Sequence, residues 1–516
     1  MKKTTILIIM DGWGIAKASK GNPITPENAP NYFDWLKKFP NTRLAASGPA
    51  VGLFKGQEGN SEAGHFNLGA GRVVKQDALY ISAAIADGTF FKNSAFHQAI
   101  HHVKKYQTSV HLMGLLSNHN SAHSCPEHFY ALLDLFRREG VKKVFLHLFT
   151  DGRDSSQHDA PHHLKKLTEH MRNGEKIATV MGRFYAMDRG KNWQRVKKAY
   201  EAMVASKGAQ TAASAVEAIS QAYNRGETDE FISPTVIIEK GKPVATIEEN
   251  DAIFFFNLRS DRARELTKAF VQDNFENTNG GTFDRVKAPR NIRFVAMTDF
   301  GPDLPHILTA FPSRDVKNSL VQVLCPRRQL YIAETEKFAH VTYFFDGGYT
   351  QHFCDERWVK IDSAEVENYA LRPEMSAGRV ADFVEKALES GEYEFICVNF
   401  ANPDMVAHTG DLAATKIAIK KVDTEISRLI RTMIKVGAQG LVTADHGNAE
   451  ELINLKTGEV NTEHSVNPAP LFVVGKEFLN KKMKLVAGGK LADVAPTILK
   501  MMGLKKPKEM TGKALF

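Results

Sequence analysis

Apolar residues in this chain run in short unbroken stretches that stop at acidic residues. Thr4 to Met10 (TTILIIM) leads into Asp11-Gly12, Phe395 to Phe400 (FICVNF) into Ala401-Asn402-Pro403-Asp404, and Leu441-Val442-Thr443 into Ala444-Asp445-His446-Gly447. A continuous apolar run of this length predicts a strand buried on both faces, and the glycine or proline behind it predicts a turn. The same pattern predicts strands at 111–116, 143–149, 177–181, 252–256 and 293–297, with amphipathic helices at 191–205 and 211–223 between them and another helix near 32–39. Alternation of this kind specifies an α/β architecture, in which ligands collect at the carboxyl ends of strands. The Pro-containing segment 301–315 reads as a linker, and no solenoid-type repeat is present.

The chemistry at those strand ends fixes the domain plan. Asp11, Asp404 and Asp445, with His408, His446 and His464, supply three carboxylates and three imidazoles, enough for two divalent metals about 3.5 to 4 Å apart. An aspartate after a strand is ordinarily a cap or turn residue, but six such groups would be costly to bury without metal or partners. Ligands at both ends of one chain make the middle an insertion. The expected plan is a discontinuous metal-binding domain, 1–75 and 312–516, with a second α/β domain, 76–311, inserted in it; 516 residues suit two domains.

Composition narrows the class without naming a substrate. Apolar content of 43% and charged content of 24% are those of a water-soluble globular chain, and no apolar stretch has membrane-spanning length. Lys+Arg 67 against Asp+Glu 59 gives +8, which without basic runs interleaved with aromatics favours small anions over nucleic acid. Cysteines 125, 325, 354 and 397 form no CxxC, so a reducing, cytosolic compartment is the simpler expectation.

Within the first segment, the glycine-rich run 48–72 lets backbone approach a ligand closely and holds Ser61 between small residues. Ser61 alone reads equally as a helix N-cap. In the middle segment the strand ends carry arginines: Arg153 with Asp154, Arg183 with Arg189, and Arg259 with Arg262. Guanidinium forks there suit a small substrate with more than one carboxylate or phosphate. Asp154 is either a general acid/base or a group that orients Arg153. His123 follows a strand and precedes a helix, and Lys337 could offer positive charge to a phosphoryl group in transit.

Assembled in order, MDGWG, GNSEAGH, TDGRD, GRFYAMDR, FFNLRSDRAR, IAETEKFAHVTYFFDGG, PEMSA, NFANPDMVAHTG and TADHGNAE resemble, over essentially the whole chain, the 2,3-bisphosphoglycerate-independent phosphoglycerate mutases, a family related to alkaline phosphatase. The resemblance implies a cytoplasmic, monomeric glycolytic and gluconeogenic isomerase. It would interconvert 3-phosphoglycerate and 2-phosphoglycerate through a phosphoserine at Ser61, with two Mn2+ ions and no bisphosphoglycerate, and with neither nucleic acid nor membrane as partner. It assigns one metal to Asp404, His408 and His464, and the other to Asp11, Ser61, Asp445 and His446. It assigns substrate contacts to His123, Arg153, Asp154, Arg183, Arg189, Arg259, Arg262 and Lys337, of which Asp154 and Lys337 act with Ser61 in catalysis. The sequence departs from the family pattern at 118–122, before His123, and at Ser260, Asp346 and Ala407, where proline, asparagine and glycine are usual. The alternatives within the superfamily are a phosphatase or a phosphopentomutase, and outside enzymes a non-catalytic binder. A phosphatase has no use for the arginine array, and a binder has none for a metal-activated serine.

Overall fold

The computed structural model describes residues 3–118, 121–301, 303–313, 316–455 and 457–516. His119 and Asn120, the centre of the unusual 118–122 segment, lie outside the described residues, as do Pro302, Arg314 and Asp315 of the expected linker. The chain forms two compact α/β units, 1–76 with 314–516 and 77–313; the sequence expectation had put the boundaries at 75/76 and 311/312.

The first unit is built on an eight-stranded sheet. Its centre is a parallel run in the order Gln329–Glu334, Phe395–Phe400, Thr5–Met10, Gln439–Thr443, continued antiparallel by Ala469–Gly475 and Asn41–Ala45. Helices cover both faces, so Ile6 to Met10 are all fully buried and need no polar alternation. Register does the rest. Ile9 pairs with Asn399 on one side and Thr443 on the other, so the chain leaves all three strands at the same edge, carrying Asp11, Asp404 and Asp445 out together. The helix Leu412–Val436 is started by Asp411, whose carboxylate accepts the Ala414 N–H at 2.9 Å, and its Asp423 accepts the Tyr32 N–H at 2.7 Å at the start of Pro30–Lys38.

The second unit carries a nine-stranded sheet whose parallel part runs Ile307–Phe311, Arg293–Thr298, Ala252–Phe255, Val110–Leu116, Val144–Thr150, Lys176–Gly182. His123, Arg153, Asp154, Arg183, Arg259 and Arg262 all follow carboxyl ends of these strands.

Three expectations are corrected. The expected linker contains the edge strand Ile307–Phe311, paired parallel with Arg293–Thr298; an edge strand buries one flank only and gives a weak apolar signal. The expected helix 211–223 begins instead as the strand Gln210–Ala212, with Ser214 capping a helix from Ala215 to Asn224. The cysteines are not all free thiols. Cys325 and Cys354 form a disulfide with Cα atoms 5.8 Å apart, brought together because the strands that follow them, Gln329–Glu334 and Glu356–Ile361, are parallel neighbours. Cys125 and Cys397 are free and buried.

Candidate active site

In the first unit four strand ends and one helix start converge. Asn60, not Ser61, caps the helix Ser61–Ala70 by accepting the Ala63 N–H at 2.9 Å. The Ser61 hydroxyl is thereby left free of capping duty and turns into the cluster, donating to Asp11 Oδ1 at 3.2 Å and lying 2.9 Å from His446 Nε2. Lys337, in the turn after Gln329–Glu334, donates to Ser61 Oγ at 2.7 Å, and the same ammonium reaches Asp404 Oδ2 and Asp11 Oδ1, each at 2.7 Å. Gly12, with φ +69°, must be glycine: a Cβ there would sit 2.8 Å from the Asp404 Cβ.

The electrostatics follow from burial and sign. Burial alone would raise the Asp11 and Asp404 carboxyls, but the Lys337 ammonium holds both well below the usual carboxylate range, aided by His446 at Asp11 and His408 at Asp404. Burial opposes the charge of Lys337 too, and Asp11, Asp404 and Asp445 overcome it and raise its pKa. His446 behaves likewise: burial lowers it, while Asp445, Asp11 and Asp404 push it up to about 10.

Two groups of side chains fit divalent cations. Asp404 Oδ1 lies 3.4 Å from His408 Nε2 and 3.3 Å from His464 Nε2, and those two nitrogens are 3.1 Å apart. One proton can bridge only one pair of these three atoms, whereas a cation at their centre would satisfy all three. The second group is Asp11, Asp445 and His446, fully buried and beside Ser61. In each group the ligand atoms lie within 4.8 Å of one another.

In the second unit the charges are of the other sign. Arg183 Nη1 donates to Asp151 at 2.6 Å and to Asp154 Oδ2 at 2.9 Å. Arg189 and Arg259 share Asp261, at 3.2 and 3.4 Å. Arg262 donates to the Met187 carbonyl, and burial together with Arg183, Arg189 and Arg153 lowers it to about 10. Arg153 is half-exposed, 3.6 Å from Glu230. His123 is buried with Nδ1 lacking a hydrogen-bond partner among the described residues; burial, then Arg183 and Arg259, lowers it to about 3, so it is a neutral imidazole. Such a surplus of guanidinium groups suits a carboxylate or phosphate.

Residues 81–302 match the family model for the BPG-independent PGAM N-terminus. A 2,3-bisphosphoglycerate-independent phosphoglycerate mutase of Methanosarcina barkeri is 46% identical over 530 residues, covering 100% of this chain and 99% of the relative. The chain belongs to that mutase family. A second member, from Clostridium acetobutylicum, is 44% identical over 520 residues with the same coverage. The crystal structure of Leishmania mexicana phosphoglycerate mutase at low cobalt concentration superposes with TM-score 0.79 at 29% identity, covering 100% of this chain and 98% of that one.

Several residues bonded into the first unit's cluster were not singled out from the sequence. Asn399 donates to Asp11 Oδ2 at 2.7 Å, and Asn448 donates to Asp404 Oδ1 at 2.7 Å. His65 Nδ1 lies 3.2 Å from Asp445 Oδ2 and 2.8 Å from the Ser61 carbonyl. Glu450 accepts the Gly14 and Asn448 N–H groups, both at 2.9 Å, and the Ser465 hydroxyl, tying three loops together. Asn399 carried a signal, being the one amide inside an otherwise apolar strand.

Proposed function

We propose that the chain interconverts 3-phosphoglycerate and 2-phosphoglycerate by moving one phosphoryl group through Ser61. The observation that carries this reading is the surround of Ser61 Oγ: an ammonium at 2.7 Å, an imidazole at 2.9 Å and a carboxylate at 3.2 Å on one buried hydroxyl. A serine hydroxyl is a poor nucleophile at neutral pH unless its proton has somewhere to go. The Ser61 proton, hydrogen-bonded to Asp11 Oδ1, ends on the glycerate oxygen that leaves, and Lys337 Nζ neutralises charge on the phosphoryl oxygens as the bond from Ser61 Oγ to phosphorus forms and the bond from phosphorus to that oxygen breaks.

Asp404, His408 and His464 would hold one divalent ion, and Asp11, Ser61, Asp445 and His446 the other, with manganese the preferred metal. Such ions, when bound, lower the pKa of a coordinated hydroxyl and screen phosphoryl charge. Arg153, Arg183, Arg189, Arg259 and Arg262 hold the carboxylate and phosphate of the substrate, with neutral His123 as a hydrogen-bonding partner. Asp154 serves the glycerate hydroxyls. Over the full cycle one proton passes from the 2-hydroxyl to the 3-oxygen while the phosphoryl group passes the other way, and a carboxylate kept ionised by Arg183 can carry it. The protein would act as a monomer in cytoplasmic glycolysis and gluconeogenesis; among the described residues no helix is long and apolar enough to cross a membrane.

The test is conversion of 3-phosphoglycerate by chelator-stripped protein with manganese restored and bisphosphoglycerate omitted. Manganese-dependent 2-phosphoglycerate is expected, and Ser61→Ala should abolish it while the fold is retained. Release of free phosphate would identify a phosphatase instead, and turnover by the alanine variant would remove Ser61 from the mechanism.

A further inference from the structure

One carboxylate of the second unit is completely enclosed and completely engaged. Asp151 directly follows the strand Val144–Thr150 and is 1% exposed. Its Oδ1 accepts three bonds, from Arg183 Nη1 at 2.6 Å, the Arg153 N–H at 3.2 Å and the Asp154 N–H at 3.0 Å, and its Oδ2 accepts the Ser117 hydroxyl. Burying an ionised carboxylate is costly unless its lone pairs are filled, and here four donors fill them. The backbone is folded around it: Gly152 has φ +68°, and a Cβ there would lie 2.6 Å from the Glu230 nitrogen. The turn that presents Arg153 and Asp154 is therefore built on Asp151.

The engagement extends to Asp154. Arg183 is 2% exposed, and its Nη1 serves Asp151 and Asp154 Oδ2 together. Ser121 Oγ donates to that same Oδ2 at 2.8 Å. Both bonds land on one oxygen, which fixes the plane of the carboxyl group and leaves Oδ1 without a partner among the described residues. One guanidinium held by two carboxylates is also a compensated charge. Arg183 lowers the Asp154 carboxyl, and because that cation is shared with Asp151, Asp154 stays oriented while losing less of its basicity than it would beside an unshared guanidinium.

We propose that Asp151 is a positioning residue for the mutase reaction, holding Arg183 against Asp154 so that Asp154 Oδ1 is presented to the glycerate hydroxyls. The inference rests on the reading of Asp154 as the group that moves the hydroxyl proton. Asp151→Asn keeps the volume and removes the charge. Arg183 then becomes a full cation beside Asp154, which weakens Asp154 as a base while leaving the anion receptor intact. The expected result is a kcat lower by ~30- to 100-fold with KM for 3-phosphoglycerate changed less than about threefold. Because Asp151 acts through Arg183, Asp151→Asn added to Arg183→Lys should cost far less than the product of the two separate losses. Losses that multiply, or a KM that rises in step with an unchanged kcat, would overturn the proposal. Ser117→Ala, which removes only the donor to Oδ2, should show the same split at smaller size and serves if the asparagine variant does not fold; an unchanged kcat in that variant also counts against Asp151. Absence of 2-phosphoglycerate formation by the unaltered enzyme would separately show that the mutase reading itself had failed.

Discussion

The two clusters differ in sign and in burial. In the first unit Asp11, Asp404 and Asp445 face one lysine ammonium, all fully or almost fully buried, with the imidazoles of His408, His446 and His464 beside them. In the second, Arg153, Arg183, Arg189, Arg259 and Arg262 outnumber Asp151, Asp154 and Asp261, and several of the arginines are half-exposed. Surplus carboxylate in a dry setting calls for cations, held at fixed distances. Surplus guanidinium at a wetter surface calls for an anion, which must enter and leave.

That contrast can be broken by experiment. The largest effect is expected at the buried cluster: His446→Ala should lower turnover by more than about 1,000-fold and reduce bound manganese from two ions per chain to one, read by elemental analysis. Two ions retained in the variant would dissolve the distinction. A smaller effect is expected at the arginine cluster. Arg262→Ala should lower kcat/KM by ~100-fold with metal content unchanged, and Arg262→Lys should not restore it, since a point charge lacks the planar fork. Smaller again is the response to salt: raising ionic strength from about 0.05 to 0.5 M should raise KM severalfold and leave metal content alone, because half-exposed arginines are screened and buried ligands are not.

The smallest effect concerns stability of the first unit. Asp346 is buried, and both its carboxyl oxygens lack hydrogen-bond partners among the described residues. Burial, helped by Glu356, pushes it up to about 8. A carboxyl raised in the folded state favours folding fully only below its unfolded pKa near 4, and that contribution is lost as pH rises through 8. Asp346→Asn should therefore be indifferent near pH 4 and more stable than the native chain by a margin that widens steadily as pH rises to 8, measured by denaturant titration at several pH values. A gap that does not widen with pH would mean that Asp346 is not neutral in the fold.

Much of this architecture is legible in the sequence because the central strands are buried on both faces. Ile6 to Met10 and Phe395 to Phe400 had to be apolar throughout, and such runs announce themselves. The edge strand Ile307–Phe311 is only partly buried, and it reads as linker. Candidate ligands were legible where they stood against an apolar background, as at Asp11, Asp445 and His446. Asp151 was not, because its neighbour Asp154, three residues on in TDGRD, looks equally functional, and only the enclosure of Asp151, with both its oxygens engaged, separates their duties.

The sequence by itself determined the long apolar strands, such as Thr5–Met10 and Phe395–Phe400, the acidic or basic residues behind them, and membership of a mutase family recognisable along the whole chain. Tertiary structure alone decided which of those ends meet. Ser61 and Lys337 are 276 residues apart and share a hydrogen bond, and Cys325 and Cys354 are joined across neighbouring strands. Contacts of that kind depend on strand order and register, and a local pattern of apolar and polar residues specifies that a strand exists without saying which strand lies beside it.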